Sequence, residues 1–297
     1  MSELRFDGKS VIVTGAGRGV GRGHALLLAS RGARVVVADI GGRLDGSGSS
    51  AEPAEQVVDE IKAAGGEAVA CHSSIAEVEG AAAIVDTALD TFGGLDIVIN
   101  NAGIHDPGAF ADLPLENFQR MLDVHYLGVV YVLKAAWPHL KKSGSGRVVN
   151  TCSEGMAGMH PNVSSYGAAK GSVMGLTLCL STECEKDGIR VNAVAPRAAT
   201  RLADLGTLVE AYGITLEQAK AIMAPYTPEA VAPVAAYLAH ESCELNGVVL
   251  ATGGGQVQRL ALMESEGIKV DGLTVEDIAA NIGIVTDLSN VQVLAGH

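Results

Sequence analysis

Ser10-Val11-Ile12-Val13-Thr14-Gly15-Ala16-Gly17-Arg18-Gly19-Val20-Gly21 joins a β-branched run to four glycines within seven residues. The run reads as a buried strand. Ala25-Leu26-Leu27-Leu28-Ala29 comes next and reads as a helix. Strand, glycine-rich turn and helix make the first half of a phosphate site. Glycines let the backbone approach phosphates, and a helix N-terminus offers free N–H groups with positive potential. Arg34 to Ala38 is a second apolar strand that ends at Asp39. An acid there, about 20 residues beyond the turn, can accept hydrogen bonds from an adenosine ribose. It also repels a 2′-phosphate, so the expected cofactor is NAD. Arg18 pulls the other way, because a basic side chain in the turn can meet the NADP phosphate.

The same alternation continues down the chain. Residues 41–51 are Gly- and Ser-rich and read as a surface loop. Helices are expected over about 52–64, 76–92 and 114–142, the last open to interruption at Pro138. Strands are expected near 67–71, 95–99, 147–151, 189–195 and 248–251. Residues 197–227 are less regular, and 228–240 read as helix. The expected fold is α/β, a single Rossmann-type domain. Its doubly wound parallel sheet has about seven strands, with helices on both faces. Such sheets bind ligands at the strand C-termini, near the switch in strand order. Asp39, Asn101, Ser153 and Pro196 all fall at that edge. Residues 1–255 form the expected domain. Residues 256–297 are read as an extension that packs on it or on a neighbouring subunit, with a short helix capped by Thr274 and Asp277.

Ser165-Tyr166-Gly167-Ala168-Ala169-Lys170 opens another helix. Residues four apart share a helix face, so Tyr166 and Lys170 point the same way. An ammonium beside a phenol favours the phenolate and yields an acid/base for neutral pH. Taken alone, the pair reads more readily as an amphipathic surface pair, and the rest of the chain decides the matter. Gly167, Ala168, Ala169, Gly171 and Gly175 permit close helix approach, either to the sheet or to another helix.

Composition narrows the class. The 297 residues carry a formal charge of -13, which disfavours nucleic acid as a partner. Five scattered cysteines lack a CxxC pair or zinc spacing, so no metal site is expected. Free thiols suit a reducing compartment. The charged N-terminus is unlike a signal peptide, and no apolar run reaches about 18 residues. The chain is expected to be cytoplasmic, without a membrane partner.

Thr14-Gly15-Ala16-Gly17-Arg18-Gly19-Val20-Gly21 resembles the TGxxxGxG turn of the short-chain dehydrogenase/reductases, and Asn100-Asn101-Ala102-Gly103 their NNAG motif. Ser153, Tyr166 and Lys170 match their Ser…YxxxK constellation. The resemblance spans roughly residues 6–255. It implies that Tyr166 is the general acid/base and that Ser153 holds the substrate oxygen. Lys170 lowers the Tyr166 pKa and binds the nicotinamide ribose. It also implies that Gly15, Arg18, Gly19 and Val20 lie against adenosine and pyrophosphate, that Asp39 holds the adenine ribose, and that Asn101, Ala102, Gly103 and Pro196 line the cofactor groove. Ser74 and Ile75 stand where the family has an Asp and an aliphatic residue beside adenine.

His125, in Val124-His125-Tyr126-Leu127-Gly128, stands where the family often has Asn. In this it resembles the (3R)-hydroxyacyl-CoA dehydrogenase part of peroxisomal multifunctional enzyme type 2. Asp39-Ile40-Gly41-Gly42, Ala135-Ala136-Trp137 and His240-Glu241-Ser242-Cys243-Glu244 are similar to the same branch. Arg197 replaces the glycine that usually comes after Pro196. The resemblance implies that His125 holds a water in a proton relay. The other reading is a packing histidine bonded to backbone.

The expected reaction is NAD-dependent oxidation of a secondary alcohol, with a 3-hydroxyacyl-CoA or steroid-derived CoA ester as substrate. A free small alcohol, steroid or sugar is the alternative. A redox sensor without turnover is disfavoured by an intact Ser153, Tyr166 and Lys170. Leu202, Leu205, Leu208 and Val209 are candidates for an apolar pocket wall, and Arg201 for an anion contact.

Overall fold

The computed structural model describes residues 3–200, 206, 209 and 213–296. Arg201, Leu202, Leu205 and Leu208 lie outside the described residues. The seven expected strands form one sheet: β1 Ser10–Thr14, β2 Arg34–Ala38, β3 Glu67–Cys71, β4 Ile97–Asn100, β5 Arg147–Thr151, β6 Arg190–Pro196 and β7 Val249–Gly253. They are parallel, and their order is β3-β2-β1-β4-β5-β6-β7. The order reverses between β1 and β4, which opens a crevice at their C-terminal ends.

Alternation along the strands feeds two cores. Val11, Val13, Val35 and Val37 face one side and pack with Leu28, Val57, Ile61 and Leu238. Ile12, Val36 and Val98 face the other and pack with Ile84, Val132, Leu140 and Ile189. Every one of these side chains is at most 2% exposed. Burial on both faces explains why these strands are nearly continuous runs of Val and Ile.

An eighth strand, β8 Gln256–Leu260, pairs antiparallel with β7 at the sheet edge. Gly254 and Gly255 turn the hairpin with φ of 56° and 79°, a left-handed pair that suits glycine. β8 is mostly exposed, as an edge strand is. Its alternating Gln256-Val257-Gln258 after two glycines is the sequence signal for it. Beyond it lie a two-stranded ribbon, β9 Met263–Ser265 with β10 Val291–Val293, and a helix over Val275–Val285. Thr274 and Asp277 form a full capping box on that helix. Another capping box, Thr215 with Gln218, starts a helix over Leu216–Met223 inside the stretch read as irregular.

The helix expected over 114–142 has a different irregularity from the one read at Pro138. It runs as α helix over Leu115–Leu122, as a π turn over Asp123–Leu127, and as α helix again over Gly128–Lys142. Pro138 lies within the last segment. Lys134 and Pro138 are both on the exposed face, so water can take the carbonyl bond that proline cannot make. The π turn adds a residue to one turn of helix and re-aims the side chains beyond it. Among the described residues, no helix is long and apolar enough to cross a membrane.

His24, in the first helix Gly19–Ser30, is 1% exposed, and neither ring nitrogen has a hydrogen-bond partner. Burial pushes its pKa down to about 4. Its folded value lies below its unfolded value, so the unfolded chain binds more protons between about pH 6.5 and 4. Stability is then full above pH 6.5 and falls by about 3 kcal/mol as pH drops to 4. Urea midpoints measured at pH 7, 5.5 and 4.5 should therefore fall steeply for the wild type and less steeply for His24→Leu. The slope that remains belongs in part to buried His125, and an identical slope in both proteins would refute the assignment.

Candidate active site

The glycine-rich turn is shaped by its surroundings. A Cβ on Gly15 would stand 2.7 Å from Ala102 Cα, and one on Gly21 would stand 2.2 Å from the Gly15 carbonyl oxygen. Those two glycines are required by contact with the segment after β4 and with the turn itself. Gly19 differs: its φ is 55°, and a Cβ would meet only Thr200, at 3.6 Å. The space beside Gly19 is a cradle open to a ligand. Helix Gly19–Ser30 begins there with Arg18 as N-cap and no side-chain cap, so its first-turn amides remain for an anion. This cradle fits a dinucleotide pyrophosphate.

Asp39 comes just after β2, and both its oxygens are engaged. Oδ2 accepts from Gly17 N at 2.8 Å and Oδ1 from Gly41 N at 2.6 Å. The carboxylate thus shapes the turn, accepting from both of its flanking backbone segments. Ser74 Oγ accepts from Ala76 N at 3.2 Å, and buried Ile75 packs against Gly128. Asn101 Nδ2 donates to the carbonyls of Thr14 and Gly15 at 3.0 and 3.1 Å. Thr14 Oγ1 accepts from Asn101 N and Ala102 N at 3.0 and 3.1 Å. Asn101 is therefore a tie between strand ends, and Ala102 lies directly beneath the turn.

Ser153 stands just past β5 as the N-cap of a short 3-10 turn, Glu154–Ala157. Its Oγ accepts from Gly155 N at 3.1 Å, which leaves its own proton free to donate. Tyr166 and Lys170 sit on one face of helix Ser164–Glu183, as their spacing requires. The Lys170 ammonium lies 5.8 Å from the Tyr166 ring centroid and donates to the Thr151 carbonyl at 2.7 Å.

The electrostatics correct one expectation. From spacing alone, Lys170 would pull the Tyr166 pKa down. Instead, burial of the phenol pushes it above its ordinary value, and the Ser153 hydrogen bond only opposes this. Lys170 is itself buried, which pushes its pKa down to about 8. Desolvation decides the direction here, and the ammonium is engaged by the Thr151 carbonyl.

Two imidazoles flank Tyr166. His125 meets its ring edge-on at 5.2 Å and 87°, and His105 at 5.1 Å and 86°. The π turn brings His125 here, 2% exposed, with Nε2 2.8 Å from the Ile104 carbonyl oxygen. Nδ1 is buried without a partner. Burial first, and Lys170 second, hold the His125 pKa well below its usual value, so the ring is neutral. Gly103 is glycine because a Cβ would lie 2.5 Å from the His125 ring. Pro196 ends β6 at the same rim, paired with Thr252.

Sequence reasoning missed His105, and also the bonds beneath it. Asn117 is 1% exposed and donates from Nδ2 to the backbone and side chain of Asp106, each at 3.0 Å. Its Oδ1 accepts from Ser165 Oγ at 2.6 Å. This network locks the start of the Tyr166 helix to the loop that carries His105. No periodic pattern marks it.

The family model for short chain dehydrogenases matches residues 9–204. The chain is 44% identical to a Mycobacterium tuberculosis protein named as a short-chain type dehydrogenase/reductase, over 95% of this chain and 96% of that one. It is 39% identical to mouse peroxisomal multifunctional enzyme type 2, over 98% of this chain but only 38% of that enzyme. A crystal structure of carveol dehydrogenase from Mycobacterium avium in complex with NAD has a TM-score of 0.74 and 29% identity, over 84% of this chain and 97% of that one.

Proposed function

We infer the reaction from one premise: the chain belongs to the short-chain dehydrogenase family. It is an oxidoreductase with a nicotinamide cofactor and a small-molecule substrate. We assign it NAD and oxidation of a secondary alcohol to a ketone, with a 3-hydroxyacyl-CoA or steroid-derived CoA ester as substrate. The observation that carries the reaction is Tyr166, with Ser153 and buried Lys170 beside it, at the strand edge that holds the glycine cradle. The CoA ester rests on His125 and the other stretches similar to the peroxisomal branch.

Bound NAD would supply the hydride acceptor. The residues that would hold it are Gly15, Arg18, Gly19 and Val20 at the turn, Asp39, Ser74 and Ile75 at the adenosine end, and Asn101, Ala102, Gly103, Pro196, Tyr166 and Lys170 along the groove. Ser153 orients the substrate hydroxyl, and Tyr166 takes its proton as the carbinol hydrogen departs. As a base Tyr166 must be a phenolate, which its burial disfavours, so the Ser153 hydroxyl and the Lys170 charge must offset that cost. Neutral His125 takes part through Nδ1, which holds a water that passes the proton onward from Lys170. It is a positioning residue for the relay.

The extension and the outward face of helix Ser164–Glu183 suit an oligomer. Ala168, Gly175 and Cys179 are exposed, and no atom lies within 4 Å of a Cβ built on Gly171 or Gly175. That face fits a second copy of the helix, in a homodimer or homotetramer. The exposed Val275, Ile278, Ile282 and Ile284 of the extension are placed to pack on a neighbouring subunit. All five cysteines are free, which fits a cytoplasmic site of action.

Three measurements test this. First, kcat/KM should favour NAD over NADP, and Asp39→Ala should erode the preference; a wild-type preference for NADP would promote Arg18 as the deciding residue. Second, in a turnover screen of CoA esters, steroids and simple alcohols, Tyr166→Phe should lower kcat by at least about 10²–10⁴-fold while NAD still binds. On the substrate found, His125→Asn should retain much of the activity, and His125→Ala should lower kcat more at low pH than at high. A pH profile unchanged in His125→Ala, with only a lower melting temperature, would retire the relay. Third, Gly175→Gln should reduce the mass seen by light scattering and leave the circular dichroism spectrum intact; an unchanged mass would count against helix pairing.

A further inference from the structure

Arg197 is the residue that departs from the usual glycine, and each of its three guanidinium nitrogens is engaged. Nε donates to Glu154 Oε2 at 2.8 Å, and one terminal nitrogen donates to Glu154 Oε1 at 2.6 Å. The other terminal nitrogen donates to Gln258 Oε1 at 2.7 Å. The Arg197 amide donates to the Thr252 carbonyl at 2.7 Å. Gly253 accommodates this approach, since a Cβ there would overlap the Arg197 carbonyl oxygen at 1.9 Å. Arg197 is thus held by β7 through its backbone and by β8 through one nitrogen, and it grips Glu154 with a two-pronged fork.

Glu154 is the residue after Ser153 and lies in the first turn of the short 3-10 segment. Four-residue 3-10 turns hold their shape weakly on their own. The Ser153 hydroxyl points where that turn aims it, because its Oγ is bonded to Gly155 N. A two-pronged guanidinium–carboxylate pair fixes direction as well as distance. The pair is shielded, with side chains 25% and 16% exposed, so it escapes much of the screening that weakens surface pairs.

We infer that Glu154, Arg197 and Gln258 form a clamp that positions Ser153 for catalysis, so that edge strand β8 supports the catalytic turn. This rests on the dehydrogenase reading for its effect on turnover, but not for its effect on the turn. All three are positioning residues. Their placement makes the start of the 256–297 segment part of the active-site support.

The test compares wild type with Glu154→Gln, Arg197→Lys and Gln258→Leu. Amide hydrogen exchange across residues 153–158 should rise in each variant, while peptides from β1 and β4 stay protected. On a substrate verified with the wild type, Glu154→Gln should lower kcat by roughly 10–100-fold, with KM and the NAD dissociation constant changing about twofold or less. Arg197→Lys should behave alike, because a lysine keeps the charge and loses the fork. The exchanged pair, Glu154→Arg with Arg197→Glu, should recover part of kcat. Unchanged exchange at 153–158 in Glu154→Gln overturns the clamp, whatever the reaction proves to be. Raised exchange with unchanged kcat overturns its catalytic role. A wild type that oxidises no alcohol defeats the dehydrogenase reading and leaves the exchange result to decide the clamp. If Glu154→Gln does not fold, Gln258→Leu, which removes one contact at the exposed edge, decides on the same two readouts.

Discussion

The site depends on a small hydrogen-bonded tie at the point where strand order reverses. Thr14 Oγ1 accepts two amides from the end of β4, and Asn101 returns two bonds to the end of β1. Parallel strands diverge where a crossover leaves in the opposite sense, and their last backbone groups lose their ladder partners. Left unpaired, each buried group would cost about 1–3 kcal/mol. Thr14 and Asn101 replace the missing ladder bonds with side chains. The crevice therefore stays open without orphaned backbone, and the glycine turn is seated on Ala102.

A second polar ladder lies deeper in the same layer. Asn100 Nδ2 donates to Asn150 Oδ1, and Asn150 Nδ2 donates to Thr177 Oγ1, linking β4, β5 and the Tyr166 helix. All three residues are at most 3% exposed. Buried amides specify register, because a shift of one residue would strand them among aliphatic neighbours. The helix that carries Tyr166 and Lys170 is thereby held at a defined height above Ser153. Asn117 does the same from the other flank through Ser165. Tyr166 and Lys170 are placed by polar bonds at both ends of an otherwise apolar interface.

Desolvation governs the chemistry of the groups so placed. Tyr166 is pushed toward the neutral phenol, Lys170 toward the neutral amine, and His125 toward the neutral imidazole. Burial thus favours the uncharged form of each, so any charge made among them needs a partner close by. His24 shows the same burial away from this site, where it brings a pH-dependent loss of stability.

The seven parallel strands, the glycine turn, Asp39 at the end of β2 and the shared helix face of Tyr166 and Lys170 were legible in the sequence, whereas Ser153 entered only through the family resemblance. Each of the former is written in a local pattern: a β-branched run, a glycine spacing, a four-residue helical repeat. The hairpin to β8 was also written locally, in Gly254-Gly255, though composition made that segment look like an appendage. Tertiary structure alone decided three things. It turned the helix at Asp123–Leu127 so that His125 meets Tyr166, a matter of one added residue in a turn that periodicity cannot register. It set the sign of the Tyr166 shift, because desolvation depends on neighbours from several elements, while helical spacing reveals only Lys170. It joined Glu154 to Arg197, 43 residues on, and Arg197 to Gln258, 61 residues beyond, where no local repeat reaches and only the order of strands in the sheet brings the partners together.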